Sequence, residues 1–216
     1  MSPALNWPHF CHKLSDDRLK EILGQIEESG FYTNDAFLDS DSVLSWKQYV
    51  ENLSQQNQFR ESSIGKKGHE VKNTNIRSDK ILWVHEFINE TQSIGTWLHD
   101  FSIELKNYFR VPIDDIEAHF SIYPAGSHYG KHIDNGTGLN NRLFTFIFYL
   151  NPNWQPGDGG ELVIYDPKNS EQEILQVAPR GGTFVLFRSD MFHHEVLEAR
   201  VPRYTFTGWL RRHARV

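Results

Sequence analysis

Two imidazoles and one carboxylate stand out in this sequence. His132 and Asp134 form an H-x-D pair within Tyr129-Gly-Lys-His-Ile-Asp-Asn135, and His194 follows later within His193-His194-Glu195-Val196. Such a set can hold one face of an octahedral ferrous ion and leave the opposite positions open for a second ligand and dioxygen. With 11 histidines in the chain, an H-x-D pattern alone carries little weight. Its joint occurrence with His194, and with Arg203 nine residues further on, carries more. The Arg203 guanidinium is a planar, permanently charged fork that suits a carboxylate. On an extended segment His132 and Asp134 face the same way, because strand side chains alternate. By the same rule His193 and His194 face opposite ways, so only one of them can reach the ion.

These residues need a frame, and the periodicity of the chain supplies one. Ser15-Asp16-Asp17 precedes a stripe of Leu19, Ile22, Leu23 and Ile26 that stops at Gly30, which predicts a helix with one buried face. Leu44, Tyr49, Val50 and Leu53 predict a second helix, and Ile94, Trp97, Leu98, Phe101 and Leu105 a third. Between those two, Arg60 to Lys72 is rich in Ser, Gly, Lys and Glu and reads as a mobile loop. From Glu117 the period changes to two. Phe120 and Ile122 alternate with His119, Ser121 and Tyr123, and strand-like runs follow at 143–150, 161–165, 183–187 and 204–210. Helices first and strands second predict an α+β domain with a jelly-roll, double-stranded β-helix core. Residues 1–110 are expected to give helical support and a substrate lid over about 60–76, and residues 111–216 the core of the same fold.

Composition narrows the function classes. A chain of 216 residues fits one domain with a sizeable core. The net charge of -6 offers no basic field to a nucleic-acid backbone, so no nucleic-acid partner is expected. A single cysteine, Cys11, excludes an internal disulfide and suits a reducing compartment. The opening MSPALNWPHFCHKL lacks the basic and apolar regions of a signal peptide, and no stretch approaches the roughly 18 apolar residues of a spanning helix. The expectation is a cytoplasmic, monomeric protein with no membrane partner.

The sequence resembles the 2-oxoglutarate- and iron(II)-dependent prolyl 4-hydroxylases of the hypoxia-inducible-factor type, including their bacterial relatives. The residues that carry the resemblance are Ile122-Tyr-Pro124, Tyr129, His132-Ile-Asp-Asn135, Arg142, Phe148-Tyr-Leu-Asn151, Gly159-Gly160, His194-Glu-Val196, Arg203-Tyr204 and Trp209, with Ile76-Arg-Ser-Asp-Lys-Ile-Leu-Trp83 upstream. The resemblance implies that His132, Asp134 and His194 hold Fe(II), since the family's His-Glu-Val precedes its arginine by the same interval. It implies that Arg203 and the Tyr149 phenol take the distal carboxylate of 2-oxoglutarate, that Tyr123 contacts the cosubstrate near the metal, and that Thr145 and Thr207 add polar contacts. Ile147, Leu162 and Val196 would form the apolar wall. Asp79 and Arg142 would pair when the lid closes over a proline-containing peptide, with Trp209 and Tyr129 at the peptide face.

The activity so implied is hydroxylation of a peptidyl proline at C4, coupled to decarboxylation of 2-oxoglutarate, with dioxygen consumed and ascorbate in support. The implied substrate is a cytosolic protein, with translation elongation factor Tu the leading candidate, and an oxygen-responsive role is a further implication. Two departures bear on selectivity. His119 stands where the animal enzymes are apolar, and with seven residues after Trp209 the C-terminal helix of the animal enzymes is not expected. A nucleic-acid demethylase would carry a second arginine six residues beyond the first, where Trp209 stands. A hydroxylase of another residue or of a small molecule would leave Asp79, Arg142 and Trp209 unexplained. A non-catalytic iron-binding module would tolerate loss of a ligand or of Arg203, and all are present.

Overall fold

The computed structural model describes residues 14–62, 73, 75–135 and 141–213. Helix α1 (Asp16–Ser29) starts where Ser15 accepts a hydrogen bond from the Arg18 amide and ends at Gly30, whose φ of 83° closes the helix in the left-handed region. Strand β1 (Phe31–Asn34) follows, then α2 (Ser40–Gln55), β2 (Arg60–Glu61), β3 (Lys80–Val84) and α3 (Gln92–Phe109). The rest of the chain is strand: β4 (Asp115–Tyr123), β5 (Tyr129–His132), β6 (Arg142–Tyr149), β7 (Leu162–Asp166), β8 (Asn169–Val177), β9 (Phe184–Arg188), β10 (His194–Val196) and β11 (Arg203–Arg211).

The strands form two antiparallel sheets. Seven run in the order β1-β9-β6-β11-β4-β3-β2 and four in the order β5-β10-β7-β8, and they pack as a jelly roll supported by the N-terminal helices. Alternation along the central strands sorts the side chains. Phe120, Phe144, Phe146, Phe148 and Phe206 join the helix-side core with Ile22, Trp46, Trp97 and Leu98. Tyr123, Ile147, Tyr149 and Val185 point the other way and join Leu162, Ile164 and Val196 of the small sheet. Both faces of the large sheet are therefore covered, which is why 143–150 reads as an apolar run interrupted only by Thr145.

Two expectations are corrected, and a third falls mainly outside the described residues. The N-terminal half contributes strands as well as helices, since β1, β2 and β3 all belong to the large sheet. Helix α2 buries Val43, Trp46 and Val50 rather than a stripe through Leu44, which is 52% exposed. Trp46 decides the rotation, because its ring packs 5.5 Å from Phe120 and 5.9 Å from Phe206. The expected lid falls mainly on residues 63–72 and 74, outside the described residues, while Arg60 and Glu61 at its start pair with Ile81 and Lys80.

Candidate metal centre and its pocket

Strand β5 ends at His132, so Asp134 sits in the turn beyond it and not on the extended segment expected from the H-x-D spacing. What brings its carboxylate round is Thr145 on β6, whose hydroxyl donates to Asp134 Oδ2 at 2.7 Å and contacts the Ser189 hydroxyl at 2.8 Å. The second histidine arrives through pairing of β10 with β5, which places His194 opposite His132 with ring centroids 4.2 Å apart. His193 is only half-buried, and its carbonyl accepts from the Tyr165 amide.

Each imidazole is fixed by a backbone carbonyl. His132 Nδ1 lies 2.8 Å from the Gly130 oxygen and His194 Nδ1 3.2 Å from the Phe192 oxygen. A carbonyl only accepts, so both Nδ1 atoms donate, which leaves Nε2 as the nitrogen each ring can offer to an ion. Those two Nε2 atoms each lie 3.6 Å from an oxygen of Asp134, and the three ligand atoms lie within 4.8 Å of one another. Burial pushes the Asp134 carboxyl up, but His194, His132 and Arg142 outweigh it and hold it well below the ordinary carboxylate range. Burial, then the charge of His132, brings His194 down to about 4, so its ring is neutral at physiological pH. An anionic oxygen and two imidazole nitrogens converging on one point fit Fe(II).

A pocket opens beside the three ligands, lined by Tyr123, Tyr129, Thr145, Ile147, Leu162, Val196, Arg203, Thr207 and Trp209 among the expected residues. Arg203 lies deep in it, 3% exposed, with its guanidinium carbon 4.6 Å from the Tyr123 ring centroid and 5.0 Å from that of Tyr149. Tyr149 stands behind the lining. Its hydroxyl and Arg203 Nε are both buried without a hydrogen-bond partner among the described residues, a costly state unless a ligand completes it. A carboxylate would satisfy both. Tyr129 stacks on His132 at 3.7 Å between centroids, and Trp209 carries the Arg142 guanidinium carbon 3.4 Å from its ring centroid. Thr145, expected as a cosubstrate contact, has its hydroxyl committed to Asp134 and so orients a metal ligand.

The expected pair of Asp79 with Arg142 is not formed. Asp79 is 1% exposed, beneath the surface rather than on it, where Arg77 Nε and Nη2 donate to its two oxygens at 2.6 and 2.9 Å and the Ser62 hydroxyl donates at 2.7 Å. Arg142 instead donates to Glu117 at 3.0 Å and lies 3.9 Å from Asp134. The cause is sequence proximity: Arg77 and Asp79 both lie just before β3, two residues apart, and reach one another directly. Arg77 itself was missed as a site residue. Its guanidinium carbon lies 4.5 Å over the Tyr129 ring and it lines the pocket, and the R-x-D spacing was the available signal. Ser121 and Thr205 were also missed, although they alternate in period two with Tyr123 and Thr207, which the resemblance had implicated.

The profile of the 2OG-Fe(II) oxygenase superfamily matches residues 118–211, which contain all three metal-ligand candidates and Arg203. The human protein "Prolyl hydroxylase EGLN3" is 30% identical over 204 residues, covering 88% of this chain and 82% of that protein. Among solved structures, a Pseudomonas putida prolyl-4-hydroxylase superposes with a TM-score of 0.79 at 26% identity, covering 90% of this chain and 99% of the other. A prolyl hydroxylase from Trichoplax adhaerens, solved with a hypoxia inducible factor oxygen degradation domain peptide fragment, gives 0.76 at 28% identity, covering 93% and 96%. Against the Caenorhabditis elegans "Hypoxia-inducible factor prolyl hydroxylase" and the rat, mouse and human "Egl nine homolog 1" the chain spans less than two thirds of their length, from 28% to 58%.

Proposed function

Because the chain belongs to the 2-oxoglutarate- and iron(II)-dependent prolyl hydroxylase family, we propose that it hydroxylates C4 of a proline residue in a protein substrate. The observation that carries the reading is the juxtaposition, in one pocket, of the His132, Asp134 and His194 ligand set with the buried, unpartnered polar atoms of Arg203 and Tyr149. Fe(II) bound by the three ligands supplies the activation of dioxygen, coupled to conversion of 2-oxoglutarate to succinate and carbon dioxide.

The chain's own residues bind and orient. Arg203 and Tyr149 take the distal carboxylate, Tyr123 and Thr207 flank the chain of the cosubstrate, and Ile147, Leu162 and Val196 exclude water from its apolar side. Tyr129, Trp209 and Arg142 receive the peptide at the mouth, and Asp79 acts by holding Arg77 over Tyr129. The substrate in this reading is a cytosolic protein, with elongation factor Tu as the first candidate, met by a monomer in a reducing compartment with ascorbate as supporting reductant. Among the described residues no helix is long and apolar enough to cross a membrane.

The test is anaerobic loading with Fe(II) and 2-oxoglutarate, exposure to air with purified elongation factor Tu and with whole lysate protein, and mass spectrometry. The expected result is the mass of one oxygen atom gained on proline, with succinate formed, and neither with His132→Ala. Wild type and His132→Ala giving identical spectra and equal succinate would overturn the reading.

A further inference from the structure

The large sheet presents its pocket face in successive cross-strand rows. Arg203 pairs with Tyr123; Thr205 lies between Ser121 and Tyr149; Thr207 lies between His119 and Ile147; and Trp209 pairs with Thr145. The carboxylate end of the pocket lies at the first of these rows and the metal end at the last, where Thr145 holds Asp134. A ligand stretched between the two ends passes over the middle rows. On their β6 side those rows are bounded by Ile147, with Leu162 and Val196 also in the lining, but on β4 and β11 they present two adjacent polar pairs, Ser121 with Thr205 and His119 with Thr207.

These groups are buried, and they are not all satisfied. Ser121, His119 and Thr205 are each at most 2% exposed. The Thr207 hydroxyl donates to that of Thr205 at 3.1 Å, which leaves the Thr205 hydroxyl proton to find another acceptor. His119 is wedged between Trp83 and Trp209, with centroids 4.8 and 5.4 Å away, and its Nδ1 has no hydrogen-bond partner among the described residues. Burial, with Arg77 adding to it, brings its pKa down to about 3, so the ring is neutral and offers one donor and one acceptor. The methylene carbons of 2-oxoglutarate can satisfy none of these groups. A small oxygen that both donates and accepts can satisfy several.

We propose that His119, Ser121, Thr205 and Thr207 form a polar subsite beside the cosubstrate chain that holds one hydroxyl-type oxygen. The oxygen is that of a retained water when plain 2-oxoglutarate is bound, and the ligand's own when the 2-oxo diacid carries a hydroxyl at C4. The inference rests on the placement of 2-oxoglutarate between Arg203 and the metal ligands.

Isothermal titration of the Fe(II)-loaded protein under nitrogen, with 2-oxoglutarate and with 4-hydroxy-2-oxoglutarate, measures the ratio of the two affinities without turnover. Wild type is expected to bind the hydroxylated ligand at least as tightly as the plain one. A clear preference for it identifies the ligand hydroxyl as the occupant, and parity identifies the water. In Ser121→Ala/Thr205→Val the ratio is expected to shift about tenfold against the hydroxylated ligand. His119→Leu should shift it the same way while His119→Gln preserves it, and this pair of single exchanges carries the test if the double variant does not fold. A ratio that is the same in wild type and in all variants overturns the subsite. Arg203→Met is expected to lose both ligands. If it binds both as wild type does, the placement of the cosubstrate is wrong and the subsite falls with it, whereas lost binding together with an unchanged ratio in the other variants condemns the subsite alone.

Discussion

His119 gains its place between two tryptophans at the cost of acid stability. Its folded-state pKa, brought down to about 3 by burial, lies below the unfolded value of about 6.5. Between those pH values the unfolded chain binds the proton and the folded chain does not, so stability falls as pH drops from about 6.5 toward 3. His194, brought down to about 4, contributes in the same direction. His119→Leu should therefore reduce the acid slope of the unfolding free energy by up to one proton, about 1.4 kcal/mol per pH unit, while leaving the His194 share in place. Urea unfolding between pH 4 and 6.5 measures it, and an unaltered slope would show that the ring titrates normally. Asp79 poses the opposite case, a buried carboxylate kept ionised by Arg77 against the effect of burial. Asp79→Asn leaves the Arg77 charge buried with its ionic partner gone and is expected to cost about 3 to 5 kcal/mol. Arg142→Ala, at a partly exposed pair with Glu117, should cost about 1 kcal/mol or less. Equal losses in denaturant midpoint would contradict that ranking. The metal ligands were legible in the sequence because a ligand set is a pattern of residue types. The partner of Asp79 was not, because an R-x-D pair just ahead of a strand competes with any distant arginine and only the fold shows which is nearer.

The elements hold this site through a few close approaches of backbone to side chain. Gly159 and Gly160, between β6 and β7, have φ of 72° and 75°, and a Cβ on Gly160 would lie 2.7 Å from Arg203 Cδ. Gly160→Ala adds left-handed strain of roughly 1 kcal/mol and pushes the Arg203 stem off its position. It should weaken 2-oxoglutarate binding about tenfold or more while leaving Fe(II) binding by His132, Asp134 and His194 intact. Separate anaerobic titrations of metal and of cosubstrate distinguish the two, and a parallel loss of both would place the damage outside the Arg203 end. Legibility at this scale followed amphipathic contrast. Helices α1 and α3 were readable because polar residues flank a single apolar stripe, whereas α2 carries apolar side chains on several faces and only packing of Trp46 against Phe120 and Phe206 selects one. Strand β8 was invisible because it is a polar edge, exposed along most of its length. β1 and β10 are only four and three residues long, too short to show a period, and exist through the ladders their neighbours offer.

Across the whole molecule, the functional pocket is the seam between two sheets. His132 and His194 belong to the four-stranded sheet, whereas Arg203, Tyr149, Tyr123 and the Thr145 that holds Asp134 belong to the seven-stranded one. A metal held by the three ligands together with a 2-oxo acid reaching Arg203 would therefore touch both layers at once, and neither layer would offer a complete site alone. Ligands that bind only the folded state stabilise it by mass action, about 2.7 kcal/mol at a concentration one hundred times the dissociation constant. For a chain of this size that corresponds to a rise in melting temperature of roughly 5 to 10 °C. The order of addition should matter. Fe(II) under nitrogen raises the melting temperature by itself, because its three ligands converge before it binds, and 2-oxoglutarate adds a second rise only when the metal is present, because one of its two ends otherwise has no partner. Arg203→Met should keep the first rise and lose the second, and His132→Ala should lose both. Differential scanning calorimetry in an anaerobic cell reads each step. Equal stabilisation by 2-oxoglutarate with and without metal, or an undiminished second rise in Arg203→Met, would mean that the diacid binds elsewhere and does not bridge the sheets.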